Sequence, residues 1–220
     1  MKQKTALVVG ATGVVGRELV TQLIGDDRYK RIILWVRRPY PISHEKLDVR
    51  IIDFTTIEAL PSEYVDEIFC ALGTSLKKAG SVEAFRRVDV TYPIAVARWG
   101  RRSGVKRFVL VSAIGADPHS PLRYFKAKGD TEAAITALYY DSLQIAHPFL
   151  IIGERGDSRP VERSAAWLFD RTFGRRFSRF QPSDGKQIAA VMIEKAQLPI
   201  PNQPTVYRYH PQEFQAPRTR

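Results

Sequence analysis

The sequence predicts a doubly wound α/β fold built on a parallel sheet, and three observations carry that expectation. Strand-like runs alternate with helical pattern from Thr5 to His147. Those runs are apolar throughout instead of alternating, as strands covered on both faces are. A glycine-rich turn joins the first run to the first amphipathic segment. With 220 residues, 44% hydrophobic and 26% charged, the chain has the size and composition of one such domain.

Taken in order, TALVV (5–9) opens the sheet. Over 14–24, Val15, Leu19 and Leu23 recur at helical spacing while Arg17, Glu18, Thr21 and Gln22 face away. RIILWV (31–36), VRIID (49–53), DEIFCA (66–71), RFVLVS (107–112) and LQIAH (143–147) read as further strands. Segments 91–103 and 124–138 read as helices between them. After residue 150 the rhythm loosens into helices at 161–173 and 185–196 and a proline-rich tail from Leu198 to Arg220. The expected organisation is a single domain over 1–220, in which about 148–200 forms a small C-terminal substrate lid and not a second domain.

Charge and cysteine content narrow the function classes. Lys and Arg number 34 against 23 Asp and Glu, a formal net charge of +11. The basic residues fall as scattered pairs, and aromatic residues are not interleaved with them, which argues against a nucleic-acid surface. A polyanionic small molecule suits the balance. No apolar run approaches the roughly 18–20 residues that span a bilayer. The start, MKQKTALVVG, enters strand sequence without signal-peptide design. The single cysteine, Cys70, sits in apolar EIFCAL and reads as a buried structural thiol. The expected location is therefore the reducing cytoplasm. His44, His119, His147 and His210 are not spaced for a metal site, and no serine nucleophile elbow occurs.

In VVGATGVVGRELV, Gly10, Gly13 and Gly16 stand between strand and helix. The first permits a tight turn, the second lets backbone approach a pyrophosphate, and the third lets helix pack on strand. The free amides and positive dipole end of the helix then receive phosphate. Thr12, Val14 and Val15 belong to the same cradle. The next strand ends in RIILWVRRP, with Arg37 lying 21 residues beyond Gly16 and no acid between Tyr29 and Ser43. An acid at this place reads the ribose hydroxyl of NAD, whereas arginine accommodates the 2′-phosphate of NADP. Arg37 and Arg38 therefore point to NADP(H). Asp53 and Phe54 either flank the adenine or serve as a strand-end turn acid and a core aromatic.

Tyr124 and Lys128 are spaced to share one face of a helix. A phenol with an ordinary pKa of about 10 is a poor acid or base at neutral pH, and a nearby cation moves it toward useful range. Ser112, twelve residues upstream, offers a hydroxyl to orient a carbonyl oxygen.

As a set, the glycines, Arg37, CALGT, Ser112 and Tyr124/Lys128 resemble the short-chain dehydrogenase/reductase superfamily. The closer likeness, in CALGTSLKKAG, FRRVDVTYPIA, GADPHSPLRYFKAKGDTEAAI and ERGDSRP, is to atypical members related to the Tat-interacting oxidoreductase of animals. It covers most of 5–165 and implies a Rossmann-type protein that binds NADPH, with Ala71, Leu72 and Gly73 lying along the cofactor. It further implies a reductase of a small carbonyl compound in which Tyr124 donates the proton. Lys128 would tune Tyr124 and bind the nicotinamide ribose, and Ser112 would orient the oxygen. Two departures stand out: Ser112-Ala113 replaces a pair of serines, and His147-Pro148 replaces Arg-Pro. His147 would touch substrate or merely end a strand. Arg155 and Arg159 would meet an anionic group or pair with Glu154 and Asp157. An NADPH-sensing regulator or adaptor with a protein partner, and a sugar-nucleotide epimerase, are the alternative readings; monomer and homodimer both stay open.

Overall fold

A computed structural model describes residues 3–152 and 182–214. The six expected strands form where their apolar runs lie, as β1 (Lys4–Val9), β2 (Tyr29–Val36), β3 (Leu47–Ile51), β4 (Glu67–Cys70), β5 (Arg107–Val111) and β6 (Ser142–Ala146). Two two-residue strands, β7 (Ile151–Ile152) and β8 (Ser183–Asp184), make a small separate sheet. A further strand, β9 (Thr205–Tyr209), completes a seven-stranded sheet in the order β3-β2-β1-β4-β5-β6-β9. Every neighbouring pair runs parallel. The chain thus grows outward from β1 in both directions, which opens a crevice at the C-terminal ends of β1 and β4.

Helices cover both faces. On one side α1 (Val14–Ile24) and α6 (Gly185–Lys195) press Val15, Leu19, Leu23, Ile188 and Met192 onto Ala6, Val8, Ile32 and Leu34. On the other, α4 (Tyr92–Arg102) and α5 (Arg123–Thr136) bring Val96, Trp99 and Ile135 against Leu7, Ile33, Ile68 and Phe108. The strands are apolar on both sides because both sides are core. Between β4 and α4 lie two short helices, α2 (Leu76–Ala79) and α3 (Val82–Arg86), and a π-helical turn over Arg87–Thr91.

Two expectations need correction. The region after Leu198 is not only a tail: its first three prolines end at Pro204, directly before β9, which among the described residues pairs with β6 alone. Proline is tolerated at the start of an edge strand because no ladder donor is required there. And α6, expected within a lid, is a layer of the fold: Ile188, Ala189 and Met192 are fully buried, and Gln22 Nε2 donates to the Lys186 carbonyl at 3.0 Å. The expected helix over 161–173, with Arg155 and Arg159 before it, lies outside the described residues.

The N-terminal edge of the sheet carries a buried polar network. Glu67 accepts from the Tyr29 hydroxyl, from Arg107 Nη1 at 3.3 Å and from Lys4 Nζ at 3.2 Å. Arg107 also donates to the carbonyls of Ala196 and Leu198, tying the end of α6 to the sheet. Burial, then the Glu67 carboxylate, push the Tyr29 phenol well above its ordinary range. This edge is braced shut, and the opposite one remains for ligand.

Candidate active site

The glycine turn is built for a close approach of backbone. Gly10 has φ +89°, and a Cβ there would stand 2.5 Å from the Ala71 carbonyl oxygen. A Cβ on Gly16 would stand 2.0 Å from the Gly10 oxygen, so only glycine lets the start of α1 sit against the end of β1. Gly13 caps α1 without any side-chain hydrogen bond. The first-turn amides of Val14, Val15 and Gly16 therefore keep their donors for an anion. Thr12 and Gly13 are exposed beside them, while the side chains of Val14 and Val15 are buried. What the valines offer a ligand is backbone. This cradle fits a dinucleotide pyrophosphate.

Arg37 and Arg38 follow the last residue of β2 and are both exposed. Neither forms a salt bridge among the described residues, in contrast to Arg31 and Arg50, which share Asp48 and Glu63. Asp53 is exposed and caps the following 3-10 turn, accepting from the Thr55 amide at 2.8 Å. That hydrogen bond holds its carboxyl below the usual range. Phe54 is only 5% exposed and packs on Tyr92, with ring centroids 5.4 Å apart. Of the two alternatives for this pair, the geometry matches turn acid and core aromatic. Ala71, Leu72 and Gly73 continue β4 past its end, held by the Ala71 amide donating to the Val9 carbonyl at 2.8 Å.

Tyr124 and Lys128 share one stripe of α5, with the ammonium 6.0 Å from the ring centroid. Lys128 is buried and pairs with the buried Asp89, Nζ to Oδ1 2.9 Å. Burial works against the Lys128 charge, but Asp89 and then Tyr124 outweigh it and the pKa ends above its ordinary value. The phenol of Tyr124 departs from the expectation of a lowered pKa. Burial raises it, the pull of Lys128 is smaller, and Asp89 opposes that pull. A phenol so placed is protonated at neutral pH and suits proton donation, not proton abstraction. Cys70 nearby is fully buried and its thiol is pushed up to about 11 by burial, as expected of a structural cysteine.

Ser112 does not hold the position expected of it. It is buried, and its hydroxyl donates to Glu132 Oε1, which also meets His147 Nε2 at 2.8 Å. Arg208 Nε lies 3.7 Å from the other Glu132 oxygen. A hydroxyl has one proton, and here a carboxylate takes it. A carbonyl oxygen would find no donor at Ser112. Nor is this a nucleophilic triad, because Glu132 and not the histidine contacts the serine. His147 directly follows β6, its amide donating to the Tyr209 carbonyl at 2.7 Å, in keeping with the strand-end reading. Asp89 and Glu132 were missed from sequence. Glu132 had a signal, since Tyr124, Lys128 and Glu132 continue one helical stripe at steps of four. Among the described residues, no cluster of three or more His, Cys, Asp or Glu could hold a metal.

Residues 10–161 match a family described as NAD(P)H-binding. The rat "Protein HTATIP2" is 31% identical over 179 residues, 79% of this chain and 72% of that protein. "Protein FMP52, mitochondrial" of Eremothecium gossypii is 35% identical over 152 residues, 68% of this chain and 67% of that protein. Among solved structures, "MoeE5 in complex with UDP-glucose and NAD" superposes with a TM-score of 0.69 at 15% identity, over 94% of this chain and 75% of that one. That likeness shows fold alone. The Rossmann-type sheet, the glycine cradle at its switch point and the family match together establish that the chain belongs to the NAD(P)H-binding family, as an atypical short-chain dehydrogenase/reductase-like protein.

Proposed function

We propose that the protein is an NADPH-dependent reductase of small carbonyl compounds. The observation that carries this reading is the Tyr124–Lys128 pair on α5, its ammonium buried against the turn that follows β4 and its phenol held protonated. When bound, NADPH supplies the hydride for the carbonyl carbon. The first-turn amides of α1 hold the pyrophosphate, and Arg37 with Arg38 grips the 2′-phosphate. Tyr124 gives its hydroxyl proton to the carbonyl oxygen as negative charge develops there. Lys128 holds the nicotinamide ribose and stabilises the phenolate that results. The group that orients the carbonyl is not Ser112 in this arrangement. That same commitment of Ser112 to Glu132 favours the second reading, an NADPH-sensing regulator without significant turnover. NADPH oxidation over a broad carbonyl panel separates the two: tight binding without turnover supports the regulator. No helix among the described residues is long and apolar enough to cross a membrane. The lone buried cysteine suits a reducing compartment such as the cytoplasm, whereas the Eremothecium gossypii relative is named as mitochondrial; fractionation decides.

The cofactor preference rests on Arg37 and Arg38. NADPH should bind more tightly than NADH, and Arg37→Ala should remove about 10- to 100-fold of that difference, the worth of a hydrogen bond to a charged group. Isothermal titration with both dinucleotides checks it. Equal affinities in the unmutated protein would remove NADP from the assignment.

A further inference from the structure

We propose that Asp89 is a positioning residue that fixes the Lys128 ammonium beneath the turn 71–74, so that one carboxylate sets both the cofactor loop and the proton-transfer pair. The inference deepens the proposed function and rests on the Lys128 contact to the dinucleotide. Asp89 is 1% exposed, and its two carboxylate oxygens and its carbonyl each meet a different part of the site. Oδ1 pairs with Lys128 Nζ at 2.9 Å. Oδ2 accepts from the Thr74 amide at 2.8 Å, anchoring the residue that follows Ala71, Leu72 and Gly73. Its main-chain carbonyl accepts from Thr131 Oγ1 at 2.8 Å, one turn beyond Lys128 on α5.

Gly73 shows how close the loop comes. A Cβ at that position would stand 3.4 Å from both Asp89 Oδ1 and Lys128 Nζ, so the loop backbone rests directly on the ion pair. Asp89 also sits inside the π-helical turn Arg87–Thr91. Such turns are rare and concentrate at functional sites, where the widened backbone re-aims a side chain. A buried ammonium with no partner sheds its proton readily. The titratable groups facing Lys128 are Asp89, Tyr124 and Cys70, and of these Asp89 is the anion at contact distance. Tyr124 is faced by Lys128 and Asp89. Asp89 therefore keeps Lys128 charged and in place while tempering its pull on the phenol.

The test is a double-mutant cycle read by NADPH binding. Asp89→Asn preserves shape and an acceptor for Thr74 but removes the charge, and Lys128→Met removes the ammonium. Each alone should weaken NADPH about tenfold, and the double variant should bind no more weakly than Lys128→Met alone. Unchanged affinity in Asp89→Asn, or losses that multiply in the double variant, would overturn the role. If Asp89→Asn does not fold, a carbon-13 NMR titration of the lysine Cε resonances of the unmutated protein decides. The Lys128 signal, identified by its absence in Lys128→Met, should titrate above those of the exposed lysines; titration below them contradicts the proposal. Failure of the unmutated protein to bind NADPH would strike the proposed function itself, and the NMR titration would still report on Asp89.

Discussion

Tyr124→Phe should turn over any accepted carbonyl compound about 10²–10⁴-fold more slowly than the unmutated protein, the range for losing a positioned general acid. Its NADPH affinity should be unchanged. The substitution removes only the hydroxyl, and the ring keeps its neighbours Phe85 and Phe125, at centroid distances of 6.4 and 5.5 Å. The glycine cradle and the Lys128–Asp89 pair do not depend on that hydroxyl. Single-turnover loss of the reduced-nicotinamide absorbance reads the chemical step directly. A variant as fast as the unmutated protein would show that the proton comes from elsewhere. Ser112→Ala is the informative companion: because Ser112 already donates to Glu132, its loss should slow the chemistry far less than that of Tyr124.

Glu67→Gln should cost about 3–5 kcal/mol of folding stability, the penalty for leaving buried cations without their counter-charge. Glu67 is 1% exposed and Arg107 4% exposed, so water cannot take over the lost interaction. The amide keeps one carbonyl oxygen for Arg107 and Lys4, but its NH2 then faces the Tyr29 hydroxyl, which loses its acceptor. Against a total stability of about 5–15 kcal/mol the loss is large, and urea unfolding followed by fluorescence measures it. NADPH affinity of the folded fraction should hardly move, because Glu67 begins β4 and the dinucleotide cradle lies at the opposite end of the strands. A stability change below about 1 kcal/mol, the scale of an exposed pair, would show that the network is solvated.

Local pattern made the centre of this fold legible. Apolar runs bounded by glycine and charge marked β1, β2, β4, β5 and β6, and the spacing of Val15, Leu19 and Leu23 marked α1. Strand β9 escaped because five residues among prolines carry little periodicity, and only the free edge of β6 gives them a place. The glycine spacing and the arginine pair after β2 were readable for the same reason: they lie in short local stretches. Side-chain partners were not. Nothing local to Ser112 says that Glu132, one element away, takes its proton. Nothing in FRRVDVTYP shows that the chain widens into a π turn and turns Asp89 inward to Lys128. The pKa of Tyr124 followed the same logic: the cation was visible from spacing, while the burial and the opposing carboxylate that outweigh it belong to tertiary structure.

Hydride transfer itself is the most direct test of the reductase account. NADPH carrying deuterium at the transferable position of nicotinamide C4 is incubated with the protein and the carbonyl panel, and products are analysed by mass spectrometry. The account predicts an alcohol that carries one deuterium on the former carbonyl carbon, formed in step with NADP and nearly abolished in Tyr124→Phe. Stoichiometric NADPH binding with no deuterium in any product would contradict it and leave the protein a sensor of the dinucleotide.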